Sequence, residues 1–550
     1  MTEKSEAKQS FIKKWAPLFV MGLAIVIIVL DTTLLNVSLG TIVRDLHTNI
    51  QSLQWVITAY ALTLSALTIT GGRFGDLFGR KKMFMLGAII FAIGSFIASI
   101  SHNVGTLIIG ESIVEGIGAA LMMPATSSLL VSTYKGKERA LALGIWGGMA
   151  AAGSAIGPVV GGYLTSHYSW RWGFRINIVV AAVLLLGSLL LHEARDKEER
   201  PTIDWWGVLL SATGLTSIVY ALIESTNYGW WKAKEAFTLG GMTLSTISIV
   251  PIAMTLGIAL LALFFVWEQH MVSKGRTPLV SMKIFTNKQF TVGALLMAIL
   301  SVGMVGLIFG MPVFYQGVLG LDALHTGYGL LPMSIGLFIT APLGGIIAKH
   351  IKPKYIVQAG FAITILALLY LRQTFAVTAS VADFIPPLTL FGVGMGLVFS
   401  QVTNITLSAV SPNEAGEASG VNNTLRQVGQ SLGTALIGTI LIASIGTGLV
   451  KGVQESKVFS EQTRPALVQA VTEQSSNIEF GIPLQGTTLK PAEAKELKRI
   501  ANESTVKANK EALLFTALFF IGALALATQL PSVDLSKLEK NESVAAKPAH

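Results

Sequence analysis

The chain has 550 residues, 52% of them hydrophobic and only 13% charged, against about 25% charged in an average soluble protein. With a mean hydropathy of +0.62, no single buried core can absorb that apolar excess, which excludes a soluble globule, a disordered chain and a fibrous protein and leaves an integral membrane protein. Absent cysteine excludes disulfides and thiolate chemistry, and the net charge of +9 sits in basic clusters between apolar runs, where it points to lipid headgroups and topology rather than nucleic acid.

The first apolar run, 15–40, follows the basic start MTEKSEAKQSFIKKW and continues past Leu30 without an A-x-A cleavage site. It reads as a spanning helix and not as a removable signal. A helix needs about 20 apolar residues to cross the hydrocarbon. That window predicts further spans at 53–72, 83–101, 106–132, 140–164, 172–192, 205–224, 245–267, 289–318, 326–348, 354–372, 385–410, 428–450 and 511–530, fourteen in all. Residues 225–247, with Trp230, Trp231, Lys232 and Lys234, read as a re-entrant or interfacial segment. Residues 451–510 are polar and read as a long outer loop, with helical composition over 489–509 and Pro491 at a plausible first turn. The tail 531–550 reads as disordered.

Orientation follows from charge. With the N-terminus in the cytoplasm, the inner connections carry Arg73, Arg80, Lys81, Lys82, Lys135, Lys137, Arg139, Lys274, Arg276, Lys352 and Lys354 among others, whereas the short outer loops hold only Arg44, Arg171, Lys232, Lys234 and Arg372. The asymmetry places both termini in the cytoplasm and supports an even number of spans in a multi-pass protein of the cell membrane.

The segment GGRFGDLFGRKKMFMLGAIIF from Gly71 resembles GGIIAKHIKPKYIVQAGFAIT from Gly344 in its layout: a Gly-Gly ending one span, a basic turn, then another span. This register pairs helices two and three with ten and eleven, so removing helices seven and eight leaves six plus six. Such a repeat is the plan of rocker-switch transporters. The organisation is therefore a six-helix bundle over 1–192, two additional helices and a linker over 193–270, and helices nine to thirteen over 271–450. An outer loop (451–510), a last helix (511–530) and a cytoplasmic tail (531–550) complete it.

Three motifs carry a family resemblance. Gly71-Gly72-Arg73-Phe74-Gly75-Asp76-Leu77-Phe78-Gly79-Arg80-Lys81-Lys82, Leu30-Asp31-Thr32-Thr33 with Asn36-Val37, and Gly153-Ser154-Ala155-Ile156-Gly157-Pro158 with Gly161-Gly162 resemble the signature loop, first-helix motif and fifth-helix antiporter motif of the major facilitator superfamily. The likeness is to its fourteen-helix drug:proton antiporters of the EmrB/QacA type, and it runs from the first helix to the last. It implies an all-α membrane fold of two six-helix bundles plus two inserted helices packed outside them. The implied activity is proton-coupled export of lipophilic or cationic compounds by a functional monomer, with the proton gradient as energy source and no cofactor.

The residues can also be read on their own chemistry. In the loop, Gly72, Gly75 and Gly79 permit a tight turn and close helix approach, and Asp76 can cap a helix or pair with Arg80 or another Arg. With Arg73 and Lys81, this forms a gate that must break when the cytoplasmic side opens. A topological anchor is the simpler alternative. Gly153, Gly157 and Gly161 line one helix face for close packing, beside Pro158 and Gly162, and only the resemblance turns that face into a statement about export.

Asp31 lies well inside an apolar run, where a carboxylate is expensive and its neutral form favoured. It is a proton carrier or the counter-charge of a cationic drug, ahead of a merely structural partner for Thr32, Thr33 or Asn36. In helix four the family's usual Arg is replaced by Ser112, flanked by Glu111 and Glu115 at i,i+4, while helix six carries Arg175. Two readings stay open: Glu111 or Glu115 with Arg175 relays protons beside Asp31, or the three form a structural ion pair. For the substrate cavity, Trp55, Tyr60, Phe314, Tyr315, Gln316, Gln401 and Asn404 offer an apolar pocket with few polar anchors, and Asn422, Asn423 and Arg426 line it or pack at its inner end.

No Walker loop, metal-ligand spacing or enzyme motif is present in the sequence. The alternatives to drug export are an exporter of an endogenous lipid, fatty acid or metabolite, for which Arg175 would suit an anionic headgroup, and a non-transporting membrane receptor.

Overall fold

The computed structural model describes residues 11–531 apart from 49, 193–202, 235–236, 240–241, 245, 349, 412–413, 462 and 474–489. The predicted tail, beyond residue 531, lies outside the described residues. The N-terminal half is built from α1 (Phe11–Asp45), α2 (Ile50–Phe78), α3 (Arg80–Ser99), α4 (Val104–Thr133), α5 (Gly136–His167) and α6 (Arg171–Gly187). Next come α7 (Trp205–Tyr228) and α8 (Ile249–Ser273). The C-terminal half holds α9 (Lys288–Gly317), α10 (Ala323–Ile347), α11 (Pro353–Thr374), α12 (Ile385–Leu407), α13 (Ala415–Glu455) and α14 (Pro491–Ala527).

Thirteen of these helices are long and apolar enough to cross a membrane. The remaining one, α5, has 32 residues and reaches about 48 Å at 1.5 Å per residue. Every predicted span coincides with a helix. Polar caps start several of them: Asn103 accepts from the Thr106 amide at 2.8 Å, Asp204 from Gly207 at 3.0 Å and Asp322 from His325 at 2.7 Å.

Two regions differ from expectation. The 225–247 segment contains an antiparallel hairpin, β1 (Phe237–Leu239) with β2 (Met242–Leu244), Phe237 opposite Leu244. The stretch expected as an outer loop is helical at both ends, at its second end from Pro491 as expected. α13 continues to Glu455, a short helix spans Thr463–Glu473, and α14 starts at Pro491 and runs unbroken into the last span. Leu449, Val453, Phe459, Leu467, Leu497 and Ile500 form a separate buried cluster there. An apolar stripe at helical spacing holds these extensions together even though their charge hides them from a hydropathy window.

The glycine face of α5 lies along α1. A Cβ on Gly157 would sit 1.8 Å from Thr33 Oγ1, and one on Gly161 would sit 2.9 Å from Leu34 Cγ. Between the halves, α5 packs on α10 and α12, and α13 packs on α2 and α4. α7 lies over the α2–α13 seam, and α8 packs on α7.

Candidate functional site

α4 is not uniformly α-helical: Ile108–Glu115 winds as a π-helix, a form frequent at functional sites. Both glutamates of this stretch are buried, Glu111 at 1% and Glu115 at 0% exposure, as is Asp31 at 2%. Asn177 of α6 joins them. Its Nδ2 donates to Asp31 Oδ1 at 2.7 Å and to Glu115 Oε1 at 3.0 Å. Asp31 Oδ2, Glu115 Oε2, Asn177 Oδ1 and the Tyr60 hydroxyl have no hydrogen-bond partner among the described residues. Among the described residues, no Lys, Arg or His forms an ion pair with any of the three acids.

Ser112 completes the cluster. Its Oγ lies 2.7 Å from the Val56 carbonyl and 2.7 Å from Glu111 Oε2. A hydroxyl has one hydrogen; given to the carbonyl, it leaves the second contact to a hydrogen on Glu111. Tyr60 of α2 lies against Gly116, next to Glu115.

Arg175 does not join this group. It is exposed on α6 and lies over the Trp172 ring, 5.1 Å from its centroid. The ion pair expected between Arg175 and Glu111 or Glu115 is therefore absent. Residues two apart on a helix point about 200° from each other, so when Asn177 faces the acids Arg175 faces away. Asn177 is the residue that sequence reasoning missed. An amide in the middle of an apolar helix was the available signal.

The signature segment is mostly helix. Gly72, Arg73, Gly75 and Asp76 lie on α2, and the turn itself is Gly79, whose φ of 108° favours glycine. A Cβ on Gly72 would meet the Gly416 carbonyl at 2.4 Å, whereas one on Gly75 would make only ordinary contact with Arg80 at 3.7 Å. Asp76 crosses the seam: its Oδ2 accepts from the Glu417 amide at 2.7 Å and its Oδ1 from the Gly416 amide at 3.1 Å. These amides open α13, so the carboxylate also meets the positive end of the helix dipole. Arg80 Nη2 donates to Asp76 Oδ1 at 2.8 Å, and Arg73 lies 3.8 Å from Glu417. Lys81 instead donates to the Leu191 carbonyl at 2.9 Å, within its own half. Ser127 and Ser419 hydrogen-bond across the same seam.

The expected cavity residues scatter. Trp55 is 42% exposed and stacks on Tyr220 of α7 at 6.2 Å. Phe314 and Tyr315 are fully buried in an aromatic knot with Phe375 and Phe384, and Gln316 is exposed. Trp55, Phe314, Tyr315 and Gln316 therefore do not line a shared pocket. Gln401 and Asn404 are buried on α12, with Gln401 Oε1 and Asn404 Nδ2 unpartnered.

The family model of the Major Facilitator Superfamily matches residues 21–434. The chain belongs to this superfamily. As a facilitator-superfamily member it is a multi-pass membrane transporter and not an enzyme. It is similar to the puromycin resistance protein pur8 of Streptomyces alboniger, 30% identical over 78% of this chain and 82% of that protein. It is also similar to the multidrug efflux pump LfrA of Mycolicibacterium smegmatis, 30% identical over 78% of this chain and 81% of the pump. Among solved structures, the proton:xylose symporter XylE superposes with a TM-score of 0.57 at 12% identity, covering 96% of this chain and 98% of that one. That likeness is one of fold.

Proposed function

We propose that this transporter exports lipophilic or cationic compounds from the cytoplasm across the cell membrane in exchange for protons. The observation that carries the reading is the cluster Asp31–Asn177–Glu115, with Glu111 beside it: three acids buried in one helix bundle without a basic partner among the described residues. Buried carboxyl groups without a cation need protons or a cationic ligand, and exchange between the two is antiport. Efflux as the direction rests on the name of the relative LfrA, a multidrug efflux pump.

In this scheme the Asp76 contacts hold the basic, cytoplasmic end shut, and protons arriving from outside displace the drug from the acids. Deprotonation then favours reloading from the cytoplasm. The antiporter face of Gly153, Gly157 and Gly161 packs on α1, the helix that carries Asp31, so rocking of α5 moves the acid site with it. Both termini lie in the cytoplasm, and one chain performs the cycle with no cofactor. Coupling requires that proton and drug bind the two states with different affinity, typically worth 5–150-fold.

The test is flux in liposomes with an imposed proton gradient, read as ethidium accumulation. Asp31→Asn should abolish uphill accumulation while leaving downhill leak, and Glu115→Gln should lower the uphill component less completely. Full uphill pumping by Asp31→Asn over a broad pH range would end this proposal.

A further inference from the structure

Arg426 is a buried charge that the mechanism leaves unused. Arg426 of α13 is 9% exposed and reaches across the seam, where Nη2 lies 3.2 Å from Met123 Sδ of α4. A thioether is a weak acceptor and does not compensate a guanidinium. Arg426 Nε has no partner, and among the described residues no carboxylate lies within ion-pair distance of the group. One turn earlier, on the same face of α13, Asn422 is 4% exposed with its Oδ1 unpartnered.

Its surroundings make this unusual. Toward the basic end, polar groups meet across the seam: Ser127 with Ser419, Ser419 with the Pro124 carbonyl at 3.2 Å, and Asp76 with the α13 amides. Arg426 stands just beyond that seal, on the side of the acids. Met123 follows Glu115 by eight positions on α4, about 12 Å of helix. A cationic side chain of the C-terminal half and an acid cluster of the N-terminal half are thus set apart by the length of a small amphiphile.

We infer that Arg426, assisted by Asn422, holds an anionic group of the transported compound, so that the cargo class includes carboxylate-bearing and zwitterionic amphiphiles. Their cationic or neutral end lies toward Asp31 and Glu115. The planar guanidinium suits a carboxylate, which it can bind through two parallel hydrogen bonds. This inference rests on the reading of the chain as an exporter, and it extends the cargo beyond cations.

Equilibrium binding to the purified full chain in nanodiscs tests it, with rhodamine 110, a zwitterion, and rhodamine 123, its methyl ester. Fluorescence anisotropy should show Arg426→Gln weakening rhodamine 110 by at least about tenfold and the ester by less than about twofold. Arg426→Lys should fall between. Equal effects on both dyes, no effect on either, or a wild-type chain that does not bind rhodamine 110 would overturn the inference. If Arg426→Gln does not fold, competition on the wild-type chain in gluconate buffer decides. Benzoate should displace rhodamine 110 more strongly than rhodamine 123; equal displacement, or chloride competing as well as benzoate, would remove the cargo assignment. Binding of rhodamine 110 through Arg426 with no proton-driven flux of either dye would overturn the export reading alone.

Discussion

Asp76 and Asp31 are both buried aspartates of the N-terminal half, and their surroundings could hardly differ more. Asp76 accepts two backbone amides at the start of α13 and two nitrogens of Arg80, so its charge has direct partners. Asp31 accepts one amide hydrogen from Asn177, has a second oxygen without a partner, and shares its neighbourhood with Glu111 and Glu115. A compensated carboxylate can act as a clasp that holds as an anion. An uncompensated one is in balance only when a proton or a cation arrives. In the proposed cycle the same residue type would therefore serve as a latch at one depth and as an exchange site at another.

The sharpest way to break this contrast is to remove each charge. Asp31→Asn is expected to have the larger effect, loss of coupled transport, because it removes one of the two uncompensated carboxyl groups that Asn177 ties together. Asp76→Asn keeps a side chain of the same shape but loses the charge-assisted bonds to Arg80 and the α13 amides. Such bonds are worth about 1.5–3 kcal/mol each, so the closed state should lose an advantage of at least about tenfold. The chain has no cysteine, which makes the readout direct. Ser419→Cys, buried at the seam, should react with a maleimide about tenfold faster when combined with Asp76→Asn, while Asp31→Asn should not open the seam comparably. Equal labelling in the Asp76→Asn background would show that Asp76 is no latch.

How much of this was readable beforehand depends on the kind of signal. The fourteen helices were legible because burial in lipid leaves long apolar windows. The extension of α13 was not, because Lys451 breaks the window without breaking the helix, whereas that of α14 was signalled by the helical composition of 489–509 and by Pro491 at its first turn. The signature loop announced Asp76 and Arg80, but its partners Gly416 and Glu417 lie 340 and 341 residues away. Asp31, Glu111 and Glu115 each stood out as acids in apolar runs. That Asn177 ties two of them together depends on how α1, α4 and α6 are rotated, and the π-helical turn at Ile108–Glu115 leaves no mark in the spacing. Aromatic residues misled for a related reason: Trp55, Phe314 and Tyr315 suit a cavity and a packed core equally well, and the helix face decides.

Smaller effects separate the exposed charges from both aspartates. At the end of the bundle opposite Asp76, Asp45 accepts from Trp170 Nε1 at 3.0 Å and from Arg171 Nη1 at 2.5 Å. The Trp170 hydrogen bond and then Arg171 hold its carboxyl below the ordinary value of 3.8. A lowered folded-state value means the tie stabilises the fold above that ordinary value and is lost as the pH falls through the lower one. The Asp45 side chain is 44% exposed, so solvent screening limits the contribution to about 0.5 kcal/mol. Asp45→Asn should therefore lower thermal stability slightly at pH 7 and progressively less below pH 4 (about the ordinary aspartate range), with transport unchanged. A difference from wild type that grows with acidity would mean the tie has the opposite sign.

The smallest effect expected is that of Arg175→Gln, and it bears most directly on the contrast between exchange site and periphery. Arg175 is the basic residue nearest in sequence to Asn177, and charge counting alone makes it the natural partner of Glu111 and Glu115. Its position over Trp172 at 5.1 Å makes it instead a surface cation on an aromatic ring, worth about 0.5–1 kcal/mol when exposed. Removing it should leave proton-driven flux within about twofold, because an exposed charge screened by water has little hold on a buried carboxyl. The pH profile of flux is the sensitive readout. If Arg175→Gln shifted that profile as Glu115→Gln does, the acids would be in contact with a cation during part of the cycle, and the idea that they balance by protons and cargo alone would have to be given up.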